Sequence, residues 1–288
     1  WVCHALTANS DVSDWWAGAF GPGLPLDPEK YFIVCANVIG SCYGSTGPLS
    51  KNTNNDVYFH DFPNITTRDM AQAHRLLAAK IGVNRIKCII GASLGGQQAL
   101  EWNALEPERF DKAVFIATNA QHSAIGQAWN ETQRMAIYND VTYTEKSENA
   151  GKNGLATAHA IAMISYRSYA GYALTQTDTN QDKLTDFKAA SYQRYQGQKL
   201  ANRFNAFSYI TLSKAMDSHN LGRGRGEISE VLKTFKAGVL IIAVSSDTLF
   251  PPSEQQFLAK HIPNASYQEI HSDFGHDGFL VEFKQLNN

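Results

Sequence analysis

The stretch Ile86-Lys87-Cys88-Ile89-Ile90-Gly91-Ala92-Ser93-Leu94-Gly95-Gly96-Gln97-Gln98-Ala99-Leu100-Glu101-Trp102 decides how this chain is read. An apolar run, a glycine-flanked serine and a segment with helical spacing predict a strand, a sharp reversal and a helix. At such a reversal the residues two before and two after the serine, Gly91 and Gly95, must lack bulky side chains. The serine takes a strained φ/ψ that lifts its hydroxyl clear of the sheet. Ser93 is therefore the candidate nucleophile of a nucleophile elbow.

Outward from the elbow, residues 1–5, 31–37, 112–117, 238–244 and 267–270 join 86–90 as short, mostly apolar runs without alternation. Runs of that kind suit strands covered on both faces, as in a parallel sheet. Between the second and third runs, Thr66-Thr67-Arg68-Asp69 offers a helix start, Met70, Ala73, Leu77 and Ile81 mark one apolar face, and Gly82 supplies a stop, so this is a βαβ crossover. From 119 to 236 strand signals vanish, and Gln, Asn, Ala and Tyr dominate segments with helical spacing. Strand character resumes at Gly238. The expected organisation is an α/β core in two parts, 1–118 and 237–288, interrupted by a helical lid, 119–236, over the carboxyl edge of the sheet, where ligand crevices lie in open α/β folds. The glycine-rich Gly222-Arg223-Gly224-Arg225-Gly226 reads as a hinge between lid and sheet rather than as a phosphate grip.

With 288 residues, 43% of them hydrophobic, the chain can bury a sizeable core. A net charge of −2 gives no electrostatic reason to expect nucleic acid or an anionic membrane surface, so small-molecule chemistry is the better expectation. No run approaches the roughly 20 apolar residues of a membrane span. Cys3, Cys35, Cys42 and Cys88 form no CxxC pair, and Cys35 and Cys88 lie in apolar runs; they are read as reduced thiols of a cytoplasmic protein. The chain opens at Trp1, directly in an apolar run, which leads us to expect a piece of a longer product with further strands upstream.

A serine hydroxyl becomes nucleophilic only when a base takes its proton, and the base must be held in one tautomer by an acid. In an α/β-hydrolase arrangement both follow the serine, each just beyond a later strand. The run 238–244 leads through Ser245-Ser246 to Asp247, and 267–270 leads to the loop Ser272-Asp273-Phe274-Gly275-His276-Asp277-Gly278-Phe279. Asp247 is the candidate acid and His276 the candidate base. His271 is a weaker rival because it still belongs to the strand, and Asp273 lies too close along the chain to accept from His276 Nδ1. Two backbone donors are needed for an oxyanion. Leu94, after the nucleophile, supplies one; the loop His4-Ala5-Leu6-Thr7-Ala8-Asn9 supplies the other, with Leu6 the choice. His4 itself is read as structural.

Several of these motifs together resemble the homoserine O-acetyltransferases of α/β-hydrolase type. They are His4-Ala5-Leu6-Thr7, Gly21-Pro22-Gly23 followed by Asp27 and Tyr31-Phe32, Gly40 to Pro48, the elbow continuing into Gln98-Ala99-Leu100-Glu101-Trp102, and Gly275-His276-Asp277-Gly278-Phe279-Leu280. The resemblance covers nearly the whole chain. It implies an acetyl transfer in methionine biosynthesis, from acetyl-CoA as co-substrate to the γ-hydroxyl of L-homoserine through an acyl-serine, with no metal or resident cofactor. By matching motif it carries over Ser93, Asp247 and His276 as the triad, Leu6 and Leu94 as oxyanion donors, Arg167 as the carboxylate-binding residue and Asp277 as the group near the substrate ammonium. An arginine fork suits a carboxylate. The family is commonly dimeric through its helical lid, so a homodimer is expected. Ala8 and Ala92 stand where the family commonly has glycine. A succinyl donor, a serine acceptor, a plain esterase and a binding protein on a retired scaffold are the alternatives.

Overall fold

In the computed structural model, which describes residues 1–287, five parallel strands form one sheet in the order β1 (Val2–Cys3), β2 (Ile86–Ala92), β3 (Phe110–Ile116), β4 (Gly238–Val244) and β5 (Ala265–Ile270). Helix α1 (Val12–Trp15) follows β1, α2 (Thr67–Lys80) precedes β2 and α3 (Leu94–Leu105) leads from β2 to β3. Between β3 and β4 the chain is helical: α4 (Ala124–Tyr138), α5 (Lys152–Tyr166), α6 (Tyr169–Gln176), α7 (Lys188–Ala201), α8 (Ala206–Asp217) and α9 (Ile228–Leu232). Helix α10 (Pro252–His261) returns the chain to β5, and α11 (Phe283–Leu286) closes it.

Every strand steps to its neighbour in the same direction, so right-handed crossovers send the connecting helices to one face. On that face Ala71 and Ala78 of α2, Leu100 and Trp102 of α3 and Leu258 of α10 share a core with Ile89, Phe115 and Ile241. On the opposite face Val12, Trp16 and Phe279 cover Ala92, Ile116, Ile242 and Val244, and Trp16 Nε1 donates to the Phe279 carbonyl at 3.0 Å. A third core joins Leu155, Tyr209 and Leu212 of the helical stretch to Leu6, Leu94, Leu249 and Phe250, which lie beyond the carboxyl ends of the strands. No described helix is long and apolar enough to cross a membrane.

The crossover helix begins where expected. Thr66 and Asp69 form a reciprocal capping box, with Thr66 N donating to Asp69 Oδ2 at 2.8 Å and Asp69 N to Thr66 Oγ1 at 3.2 Å. Its buried stripe is Met70, Ala71, His74 and Ala78, turned from the expected face so that Ile81 is exposed. Residues 31–37 do not form a strand. They run beside β1 at the margin of the sheet, joined to it by the single bridge Val2–Cys35, and Tyr31 and Phe32 are 48% and 80% exposed. An apolar run needs a partner along its length to become a strand, and this one has one residue's worth. The first strand likewise shortens to Val2–Cys3, because beyond Cys3 the chain turns into the loop over the site.

Candidate active site

The elbow has the strained geometry its sequence calls for. Ser93, between β2 and α3, sits at φ 56° and ψ −127°, a conformation costing on the order of 1–3 kcal/mol. The surrounding backbone leaves no room for side chains at the flanking glycines. A Cβ on Gly91 would stand 2.2 Å from the Gly95 carbonyl oxygen, and one on Gly95 would stand 2.0 Å from that of Cys3. The strain is held by hydrogen bonds: Ser93 N donates to the Ile116 carbonyl at 3.0 Å, and Thr118 Oγ1 donates to the Ser93 carbonyl at 2.8 Å. Ala92, where the resemblance has glycine, buries its methyl in the core on the face covered by Trp16 and Phe279.

Asp247 and His276, from loops after β4 and β5, meet. His276 Nδ1 donates to Asp247 Oδ2 at 2.7 Å, while Asp247 Oδ1 accepts from the backbone N–H groups of Leu249 and Phe250 at 2.8 and 2.9 Å. A carboxylate with both oxygens engaged holds the imidazole with Nδ1 protonated and leaves the Nε2 lone pair able to act as a base. The ring is wedged among aromatics, stacked on Phe250 at 5.1 Å and edge-on to Phe279 at 5.3 Å. Burial opposes the imidazolium, but the charge and hydrogen bond of Asp247, with Asp277 adding to them, outweigh it and raise the His276 pKa. Ser93 Oγ makes no hydrogen bond to His276; nucleophile–base contacts often tighten only on substrate binding. The rivals are elsewhere: His271 is exposed and pairs through Nδ1 with Ser245 Oγ at 3.2 Å, and Asp273 is exposed.

Two orphan N–H groups belong to the same region. Leu94 opens α3, so its N–H has no intrahelical acceptor. Leu6 is buried in a turn closed by Ala8 N donating to the Ala5 carbonyl at 3.1 Å, and its own N–H makes no hydrogen bond among the described residues. Leu6, Leu94 and Phe250 share one core. His4 is fully buried; its Nε2 accepts from Val38 N–H at 3.1 Å and its Nδ1 contacts the Ala5 carbonyl at 2.9 Å. Burial lowers its pKa to about 4. Sequence reasoning missed Arg203, just beyond α7, whose Nη1 donates to the Thr7 carbonyl at 2.7 Å and to Tyr43 Oη at 2.5 Å. Its partner on the turn lies 196 residues away, and no local pattern announces it.

Arg167 and Asp277 stand together, with Nε 3.2 Å from Oδ2 though not aligned for a hydrogen bond, and the guanidinium lies 5.8 Å from the centre of the Phe274 ring. Burial pushes the Asp277 pKa up, against the lowering effects of Arg167 and His276. Gly275 makes this approach possible: at φ +64°, its Cβ would lie 2.7 Å from the Arg167 carbonyl carbon. The 222–226 loop, expected as a hinge, is instead tied down. Arg225 and Arg68 both engage the buried Glu101 carboxylate of α3, at 2.8 and 3.1 Å, and Arg68 also donates to the Arg223 carbonyl at 2.7 Å. A buried carboxylate needs such counter-charges, and the loop supplies one.

The α/β-hydrolase-fold family matches residues 2–283. A homoserine O-acetyltransferase of Cyclobacterium marinum is 51% identical over 99% of this chain and 82% of its own. The crystal structure of a homoserine O-acetyltransferase from Staphylococcus aureus superposes with a TM-score of 0.80 at 32% identity, over 98% of this chain and 81% of that one. The structure of esterase E22 superposes at 0.87 with 21% identity, over 99% and 86%, a likeness of fold alone.

Proposed function

The chain belongs to the homoserine O-acetyltransferase family of α/β hydrolases, and we propose that Ser93, His276 and Asp247 are the residues through which it moves acetyl from acetyl-CoA to L-homoserine. His276 Nε2 takes the Ser93 proton as Oγ attacks the thioester carbonyl. The oxyanion of the tetrahedral intermediate accepts from Leu6 and Leu94 N–H, and collapse expels the CoA thiolate, which leaves with the proton from His276. The homoserine γ-hydroxyl then gives its proton to His276 and attacks acetyl-Ser93. The second collapse frees O-acetylhomoserine and returns the proton to Ser93. No resident metal or cofactor enters this scheme; acetyl-CoA is a co-substrate.

The observation that carries the reading is the Arg167–Asp277 pair beside the base. An esterase that delivers water has no need to orient an amino acid, whereas these two groups suit the acceptor's carboxylate and ammonium. Methionine biosynthesis is the pathway this chemistry serves. Four free thiols support a cytoplasmic setting, and the apolar side chains that α6 exposes support a homodimer through the helical stretch.

The test is to supply the protein with acetyl-CoA or succinyl-CoA, with and without L-homoserine or L-serine, and to follow thiol release beside O-acyl product. Release that depends on acetyl-CoA and homoserine is expected; release independent of any amino acid, with free acetate as product, overturns the transferase reading. Ser93→Ala is expected to abolish the acylation burst.

A further inference from the structure

We propose that His4 is a positioning residue for acyl transfer, holding the peptide plane that aims the Leu6 N–H at the oxyanion. The inference rests on the reading of Leu6 as an oxyanion donor. The Ala5 carbonyl and the Leu6 N–H belong to one planar trans peptide and point in opposite directions, so whatever fixes the first aims the second. Two donors fix that carbonyl: His4 Nδ1 at 2.9 Å and Ala8 N at 3.1 Å. Ala8 is part of the same turn and moves with it, but His4 is anchored outside it.

The anchoring runs through both the ring and the backbone. His4 Nε2 accepts from Val38 N–H at 3.1 Å, an arrangement that only the Nδ1-protonated neutral tautomer satisfies, since the Ala5 carbonyl can only accept. Val38 thus sets the tautomer, and the tautomer sets the donor that holds the turn. The His4 backbone carbonyl in turn accepts from Gln98 Nε2 of α3 at 3.1 Å, the helix whose first N–H belongs to Leu94. The mounts of the two oxyanion donors are therefore linked through residue 4. A protonated imidazole would face Val38 N–H donor to donor, and full burial disfavours that form. With both ring nitrogens engaged, His4 is no general base, because neither nitrogen has a lone pair free for substrate.

Amide side chains separate the two nitrogens. Asn can present an N–H donor at the position of Nδ1 but cannot reach Val38; Gln can present an acceptor at the position of Nε2 but loses the donor to Ala5. We expect His4→Gln to lower the burst rate of Ser93 acylation by a chromogenic acetyl ester by roughly 10- to 100-fold, less than the full loss of an oxyanion donor, with the homoserine KM unchanged. His4→Asn is expected to recover most of that rate while melting at a lower temperature than His4→Gln, because Val38 N–H is left buried without an acceptor. A merely structural histidine predicts that acylation follows melting temperature in both variants. Wild-type acylation in His4→Gln, or slower acylation in His4→Asn than in His4→Gln, overturns the proposal. The reading beneath it fails separately: if Ser93→Ala retains the burst, Ser93 is not the nucleophile, whereas a Ser93-dependent burst indifferent to His4 sinks only this inference.

Discussion

His276, the proposed base, has a charge state contested by its own surroundings. Burial favours the neutral ring, while Asp247 and Asp277 favour the imidazolium and prevail. A raised pKa means that the proton, which disables the base, is retained to higher pH than in a free histidine. Acylation should therefore rise with pH with a midpoint above the ordinary value of about 6.5. Asp247→Asn removes the largest raising influence, so the midpoint should fall, with the rate down by about 10⁴ as in other triads. A pH profile of the acylation burst checks both, and a midpoint that climbs in Asp247→Asn contradicts the assignment. Glu254, raised to about 7 chiefly by burial, titrates in the same range; recording the profile in Glu254→Gln isolates the histidine.

Between residue and fold, the loop after β5 shows how an element is shaped for its neighbours. Gly275 adopts a left-handed conformation and lets the backbone press against Arg167. Gly275→Ala should cost about 1–3 kcal/mol in stability and displace His276 and Asp277 together, raising the homoserine KM and slowing acylation in one variant. Calorimetry with steady-state kinetics reads both, and an alanine variant with wild-type KM contradicts the packing argument. In α3 the reasons for a distinctive string of residues are equally local. Gln98 ties His4 and His74, Glu101 takes Arg68 and Arg225, and Trp102 packs edge-on to Trp1 at 5.0 Å and Phe110 at 5.3 Å. Trp102→Ala should therefore lower unfolding stability by about 3–5 kcal/mol, measured by denaturant melts.

At the scale of the molecule, what was legible in the sequence and what was not divide along a physical line. Ser93, Asp247 and His276 could be singled out as candidates because each follows a strand, and strands announce themselves in local composition; the structure joins Asp247 to His276. Residues 31–37 have the same composition yet form no strand, since pairing is decided by what lies alongside and only Cys35 finds a bridge. Arg203 and the ring contacts of His4 were invisible for the same reason: their partners come together only in three dimensions. The expected homodimer is a whole-molecule question too. Tyr169 and Leu174 on α6 are 91% and 69% exposed, and sedimentation should find a dimer that Tyr169→Asp with Leu174→Asp converts to monomer. A wild-type monomer at micromolar concentration would refute it.

The contact between Arg167 and Asp277 has a consequence for selectivity. Each charge is the other's counter-ion. On the proposed assignment of this pair to the acceptor, a zwitterion would exchange that one pair for two new ones, so neither protein charge would be stranded. A ligand carrying only a carboxylate, or only an ammonium, would break the pair and leave one partly buried charge uncompensated, a loss that grows as water is excluded. On the same proposal, half-ligands would be disfavoured by the stranded charge rather than by a clash, and the acceptor favoured because it brings both charges at once.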